Sequence, residues 1–177
     1  RRNPNSELYG QIGLNTPIRY GYDTVGSVWA TSTGAAASYL STPSSASYNI
    51  TGDLDVRAEI AADTWTGGIV NIANRYDATT NNRGWSLQTT ASGIPELYWS
   101  TDGTVVSFAT ATAYLPAHAG QRIALRATLD VSNDDGVYEV RFYTGLDAGS
   151  EDEDAWKLLG TPVTGSTSTS VFDPARQ

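Results

Sequence analysis

The sequence predicts an all-β chain in which two antiparallel sheets pack face to face as a sandwich. Three observations lead to this fold class. Many short segments alternate apolar and polar side chains, no segment carries a sustained helical period, and turn-forming residues recur between the segments, including 17 Gly and 7 Pro. The chain has 177 residues, of which 40% are hydrophobic and 17% charged. It is long enough for one full domain and too short for two domains of typical size.

The three clearest strands are predicted at residues 53–62, 122–131 and 137–144. In each of them every second side chain is apolar, as expected for a strand with one dry and one solvated face. The second and third strands are joined by Ser132–Gly136, whose Asn, Asp and Gly residues tolerate the positive φ of a hairpin turn.

Shorter segments predict the remaining strands. The inner ones are Ile69–Tyr76, Gly84–Thr89, Pro95–Ser100 and Val105–Ala109. Thr101–Thr104 is predicted to join the last two of these as a tight hairpin. Edge strands are predicted at Ile18–Tyr22, Ser27–Thr31, Ser38–Ser41, Trp156–Gly160 and in the Thr/Ser/Val-rich tail. Regular spacing of about a dozen short strands is typical of a sandwich or a barrel.

Composition excludes several classes of function. Without Cys the chain has no disulfide and no thiolate metal site, and the net charge of −8 with no basic cluster beyond Arg1 and Arg2 argues against nucleic acid. No apolar run approaches the ~18 residues that a membrane span needs. The absence of Met indicates that the chain starts after a cleavage or is cut from a longer polypeptide. We expect a lead-in at 1–16, one sandwich domain at 17–172 and a C-terminal tail at 173–177.

No catalytic residue is predicted, and we expect the chain not to be an enzyme. His118 is the sole histidine, it lies in a predicted loop, and no nucleophile-elbow pattern accompanies it. Glycoside hydrolysis needs two convergent carboxylates. Asp55 and Glu59 share a strand face with Arg57 between them, so cross-strand ion pairs with Arg126 or Arg141 explain them more economically.

Ligand binding without catalysis is predicted from the aromatic residues. Trp85 and Trp99 share strand faces with leucines and are expected in the core, whereas Tyr98 points the opposite way, beside Glu96. Exposed aromatic side chains serve both sugar binding and protein interfaces, and the sequence does not separate the two. The candidate ligand-binding residues are Tyr98, Trp65, Tyr76, Glu96 and Arg83.

A calcium site is the one cofactor that the sequence leaves open. Calcium takes several oxygen ligands from loops, and the candidate ligands are Asp134, Asp135 and Asp173, although no EF-hand pattern is present. The acidic run Gly149–Asp154 is interpreted as a solvated loop, with a cation site as the alternative.

Several motifs resemble the concanavalin A-like, laminin-G-like jelly-roll domains. These motifs span roughly residues 38–165, and the resemblance implies an antiparallel jelly-roll sandwich with no agreed catalytic residues to transfer. They are Tyr48–Arg57, Ile72–Tyr76, Asn82–Leu87, Leu97–Gly103 and Arg126–Asp130.

The segment Leu8–Arg19 is similar to the lead-in of such domains in minor tail proteins of phages that infect actinobacteria. This resemblance implies a virion component whose partners are other tail proteins and host cell-wall glycan, acting outside the cell in assembly or host attachment. Two alternatives remain open at this point. One is a carbohydrate-binding module of a secreted bacterial polysaccharide-degrading enzyme, and the other is a glycoside hydrolase in its own right.

Overall fold

The computed structural model describes residues 49–174, residues 39 and 41, and the backbone of 19–22 and 28–31. The chain divides into two compact units, Arg1–Ala46 and Ser47–Gln177. The lead-in at 1–16 and most of the strand predicted at Ser38–Ser41 lie outside the described residues. The domain boundaries expected from the sequence stay predictions.

The first unit contains an antiparallel hairpin. Strand β1 (Arg19–Tyr22) pairs with β2 (Val28–Thr31), so that Arg19 lies opposite Thr31. Both strands fall within one residue of their predicted bounds.

The regular secondary structure described in the second unit consists almost entirely of strands. Its only regular helix among the described residues is a single 3-10 turn at Glu153–Ala155. None of the helical structure in the described part of the chain has the length and apolar character needed to cross a membrane. The strands are β3 (Leu54–Ala61), β4 (Val70–Asp77), β5 (Asn82–Thr89), β6 (Pro95–Ser100), β7 (Val106–Thr110), β8 (Arg122–Asp130), β9 (Glu139–Gly145), β10 (Lys157–Leu158) and β11 (Val163–Thr164).

These strands form two antiparallel sheets. The five-stranded sheet has the order β10-β9-β8-β3, with β11 also pairing β9, and the four-stranded sheet has the order β4-β5-β6-β7. The all-β fold class predicted from the alternating pattern is therefore confirmed, with two antiparallel sheets.

One hydrophobic core lies between the sheets. It takes Leu125 and Phe142 from the five-stranded sheet and Leu87, Leu97 and Trp99 from the four-stranded sheet, all fully buried. Their neighbours along each strand point to the opposite side, as the period of two requires. Each sheet therefore has an inner face in the core and an outer face turned away from it.

The segment after β9 covers part of the outer face of the five-stranded sheet. Trp156 is buried there, and its ring lies 5.8 Å from the Arg126 guanidinium carbon. The C-terminal segment closes the core at one end, because Val171 is buried in it and the Phe172 N–H donates to the Ser100 carbonyl over 2.6 Å.

Candidate functional site

A groove of about 350 Å³ lies on the outer face of the four-stranded sheet. We call it the β4–β6 groove after the strands that form it. No charged side chain is among its lining residues, which are Asn71, Asn74, Tyr76, Ser86, Gln88 and Tyr98.

Strand register arranges the outer face into two rows that cross the sheet. The first row runs Asn71, Gln88, Glu96, Thr110 from β4 to β7. The second row runs Asn74, Ser86, Tyr98, Phe108 in the same direction. Residues directly opposite each other on antiparallel strands share a face, so each row presents its side chains to the same side.

An aromatic pair stands at the β6–β7 side of the groove. The rings of Tyr98 and Phe108 stack with their centroids 5.3 Å apart and their planes 20° from parallel. Phe108 is 55% exposed, which makes it one of the more accessible large apolar side chains of the described residues. Burial, and then the negative charge of Glu96, raise the pKa of Tyr98, so its hydroxyl remains protonated and can donate a hydrogen bond.

Glu96 is buried at the base of this face, with 8% of its surface exposed. The Thr110 hydroxyl donates to Glu96 Oε1 over 2.7 Å, and Gln88 Nε2 donates to Oε2 over 3.4 Å. These bonds orient the polar side chains of the first row. They also replace some of the hydrogen bonds to water that the carboxylate lost on burial.

Three of the five predicted ligand-binding residues meet at this face. Tyr76 and Tyr98 line the groove and Glu96 lies beside Tyr98 on the same strand. The other two lie elsewhere. Trp65 is only 7% exposed and its indole N–H donates to the His118 carbonyl over 3.2 Å, so it belongs to the core and not to the surface. Arg83 is engaged in holding two turns together.

The guanidinium of Arg83 donates to backbone carbonyls on both sides of it. Its Nη2 lies 2.8 Å from the Ala78 carbonyl, and its Nη1 lies 3.2 Å from that of Gly103 and 3.1 Å from that of Thr104. These bonds use the planar donor fork of arginine to join the turn before β5 to the turn after β6. The side chain is therefore positioned for a structural role.

Sequence reasoning missed the polar partners of the two tyrosines. Asn71, Asn74, Ser86 and Gln88 line the groove, and Phe108 extends its aromatic surface. A signal was present for β5, because Ser86 and Gln88 flank Leu87 and so must face away from the core. Their association with residues of β4 depends on strand pairing, which composition and period do not encode.

The predicted metal ligands do not form a cluster. Asp134 and Asp135 lie in the β8–β9 turn, where the Asn133 side chain accepts the Asp135 N–H. Asp173 lies 3.5 Å from a guanidinium nitrogen of Arg75. Among the described residues, no group of three or more His, Asp or Glu side chains is arranged to hold a metal ion.

A second depression, of about 400 Å³, lies on the outer face of the five-stranded sheet, but its central charges are already partnered. Arg126 donates to both carboxylate oxygens of Asp55 over 3.0 Å and also bonds Glu153. The predicted cross-strand pairing of Asp55 with Arg126 is confirmed. Arg141 instead pairs with Glu139 on its own strand at 2.7 Å.

The β4–β6 groove is thus the best candidate site of the described residues. No family model, curated protein or solved structure matches the chain. The assignment of a function rests on the chemistry of the groove, in which amide and hydroxyl groups that donate and accept hydrogen bonds lie beside the half-buried Tyr98 and the exposed Phe108.

Proposed function

We propose that the chain is a non-enzymatic glycan-binding module and that the β4–β6 groove holds the saccharide. The observation that carries the proposal is the juxtaposition of the stacked Tyr98–Phe108 pair with the amide and hydroxyl side chains that line the groove on β4 and β5. A sugar ring offers an apolar face that packs on an aromatic ring and a rim of hydroxyls that both donate and accept hydrogen bonds. The groove provides partners for both.

The number of carboxylates on this face of the sheet favours glycan binding over glycoside hydrolysis. Both common mechanisms of glycoside hydrolysis use two carboxyl groups roughly 5 to 10 Å apart on either side of the bond that breaks. Among the described residues, the two rows on this face contribute one carboxylate, that of Glu96. The rest of both rows is neutral.

We further propose that the fold is a jelly roll and that the module belongs to a phage tail protein. This part of the proposal is supported by the sequence resemblance of Leu8–Arg19 to tail-protein lead-ins and of the strand motifs to concanavalin A-like domains. Its partners would be other virion proteins and the cell-wall glycan of the host. A lectin-like fold is by itself only an analogy for sugar binding, so the groove carries the functional argument.

Binding to purified actinobacterial cell-wall polysaccharide tests the glycan proposal. We expect the protein to be retarded in affinity electrophoresis through this polysaccharide, and Tyr98→Ala to weaken the retardation. Removing an aromatic contact surface costs on the order of 1 kcal/mol, which corresponds to a roughly fivefold weaker association. Phe108→Ala serves as a second variant, since its exposed side chain is less needed for folding than that of Tyr98.

Tyr114→Ala is the matched control. Tyr114 is 66% exposed and is not among the residues that line the groove, so the same truncation there should leave the retardation unchanged. Equal retardation of the wild-type protein in gels with and without polysaccharide would refute the glycan proposal. Release of reducing ends from the polysaccharide would show that the module is a hydrolase.

A further inference from the structure

The buried carboxylate of Glu96 lacks a cationic partner. Its oxygens receive hydrogen bonds from neutral side chains, those of Thr110 and Gln88. Within the described residues, no arginine, lysine or histidine nitrogen lies within ion-pair distance of Glu96. Neutral hydrogen bonds satisfy the oxygen atoms without cancelling the charge, so the negative field of Glu96 extends into its surroundings.

The arginines of the same sheet do not offset this field in the groove. Strands β4–β7 contain two of them, Arg75 and Arg83, and neither lines the groove. Arg75 Nη2 donates to Asn49 Oδ1 and to the Pro174 carbonyl and lies 3.5 Å from Asp173. Both guanidinium groups are committed to backbone and to neighbouring loops.

The groove therefore combines neutral walls with one unneutralised carboxylate beside Tyr98. We propose that it discriminates by charge: it accepts saccharides without acidic groups and rejects those that carry carboxylates or phosphates, with Glu96 as the residue that determines this specificity. The inference rests on the glycan-binding function proposed above and names the class of saccharide that the groove takes. A ligand carboxylate would be brought close to a charge of the same sign in a partly desolvated site, and no cationic side chain is among the lining residues to offset the repulsion.

Two forms of one polysaccharide provide the test. Neutral actinobacterial wall polysaccharide is compared with the same material after selective oxidation of its primary alcohols to carboxylates, which changes the charge and keeps the backbone. At low ionic strength we expect the full chain to bind the neutral form about three- to tenfold more tightly, the range that Coulomb repulsion across several ångströms of intermediate dielectric gives. Added salt should narrow this gap because it screens the repulsion.

Glu96→Gln is the decisive variant, and Glu139→Gln is its control. Both substitutions remove one negative charge from the protein, but Glu139 lies on the other sheet, where it pairs with Arg141. We expect Glu96→Gln to reduce the preference for the neutral form severalfold and Glu139→Gln to leave it unchanged. If Glu96→Gln does not fold, a wild-type preference for the neutral form that does not narrow in high salt overturns the inference, because the preference is then not electrostatic.

The outcomes separate this inference from the proposed function. Equal binding of neutral and oxidised polysaccharide by the wild-type protein overturns the inference and leaves the glycan-binding function in place. A preference that both variants reduce equally overturns it as well, because the net charge of the protein would then be the cause. Absence of binding to either form refutes both proposals.

Discussion

Gly103 shows how a single residue fixes the turn at the end of the groove strands. Its φ is +82°, in the left-handed region that side chains with a Cβ adopt at a cost. A Cβ at this position would also overlap the Asn81 carbonyl oxygen and lie 2.8 Å from the Phe172 ring. Two separate physical reasons therefore require glycine here, one in the backbone and one in the packing.

Comparison of Gly103→Ala with Gly136→Ala separates the two reasons. Gly136 has a φ of +71°, but nothing lies within 4 Å of the position of its Cβ. We expect Gly136→Ala to lower the free energy of unfolding by about 1 kcal/mol, the cost of left-handed backbone alone. Gly103→Ala should lower it by about 3 kcal/mol, because backbone or ring must also shift. Urea denaturation of both variants measures the difference, and equal losses would show that packing at Gly103 is loose.

Single residues were predictable where only local periodicity decides their surroundings. Tyr98 and Trp99 are neighbours on β6, and their opposite faces followed from the period of two alone. Trp65 was not predictable, because it packs in the core and its indole N–H donates to the carbonyl of His118, which is distant along the chain. Only tertiary structure brings those two residues together.

The hairpin between β6 and β7 differs from its prediction by one residue. The predicted connection is Thr101–Thr104, whereas the strands end at Ser100 and resume at Val106, which adds Val105 to the loop. Asp102 accounts for the extra residue, because its Oδ1 accepts the N–H groups of Thr104 at 2.7 Å and Val105 at 2.8 Å.

This extra residue determines which side chains meet in the groove. A four-residue loop would place Tyr98 opposite Ser107, and the observed loop places it opposite Phe108. The sequence predicts that both strands exist and which side chains of β6 face outward. It does not predict the register, which depends on side-chain hydrogen bonds inside the turn.

The acidic segment before β10 is held on the sheet by Arg126. The sequence indicated a solvated loop, and its carboxylates are indeed exposed, but Glu153 pairs with Arg126 and the Ser150 carbonyl accepts a hydrogen bond from Arg57 at 2.9 Å. The side chain of Arg126 is only 10% exposed, lying against Trp156 and within 5.3 Å of the Tyr143 ring centre.

We expect Arg126→Ala to destabilise the protein more than Arg141→Ala does. Loss of Arg126 leaves Asp55 and Glu153 without this partner, which costs about 1–2 kcal/mol after allowance for solvent screening of the exposed carboxylates. Arg141 is a matched control on the neighbouring strand, because its side chain is 48% exposed in its pair with Glu139 and its loss should cost at most ~0.5 kcal/mol. Urea midpoints measure both effects. Equal midpoints for the two variants would show that the Arg126 cluster adds nothing beyond a surface ion pair.

At the scale of the molecule, the sequence predicted the class of fold but not the arrangement of its strands. Alternation in Leu54–Ala61 and in Arg122–Asp130 identified both segments as strands with one buried face. That these two strands are neighbours, with Leu54 opposite Leu129, depends on a crossover between distant parts of the chain. Local patterns carry no information about such pairings. The groove lies on three consecutive strands, and it was only partly predicted because the register of β4 against β5 shifts at two places that the alternating pattern does not reveal.

We expect acid to destabilise the folded protein, because several carboxyl groups have a lower pKa in the folded chain than in the unfolded chain. Hydrogen bonds from Thr80 and then Thr79 lower the pKa of Asp77 to about 2, and backbone N–H groups of Val105 and Thr104 lower that of Asp102 to about 2. Burial alone would raise the pKa of Asp55, but hydrogen bonds from Arg57 and Arg126 outweigh it and the pKa is lowered.

Since each pKa is lower in the folded than in the unfolded chain, the unfolded state binds more protons below the ordinary value of 3.8. The stability that these groups contribute is complete about one pH unit above that value and is lost as the pH falls toward 2. We expect the urea midpoint to stay level from neutral pH to about pH 5 and to decrease steeply between pH 4 and pH 2. Asp102→Asn, which keeps an oxygen acceptor but cannot ionise, should lower the midpoint at pH 7 and decrease less steeply in acid. A midpoint that does not change between pH 4 and pH 2 would show that these carboxylates titrate alike in both states.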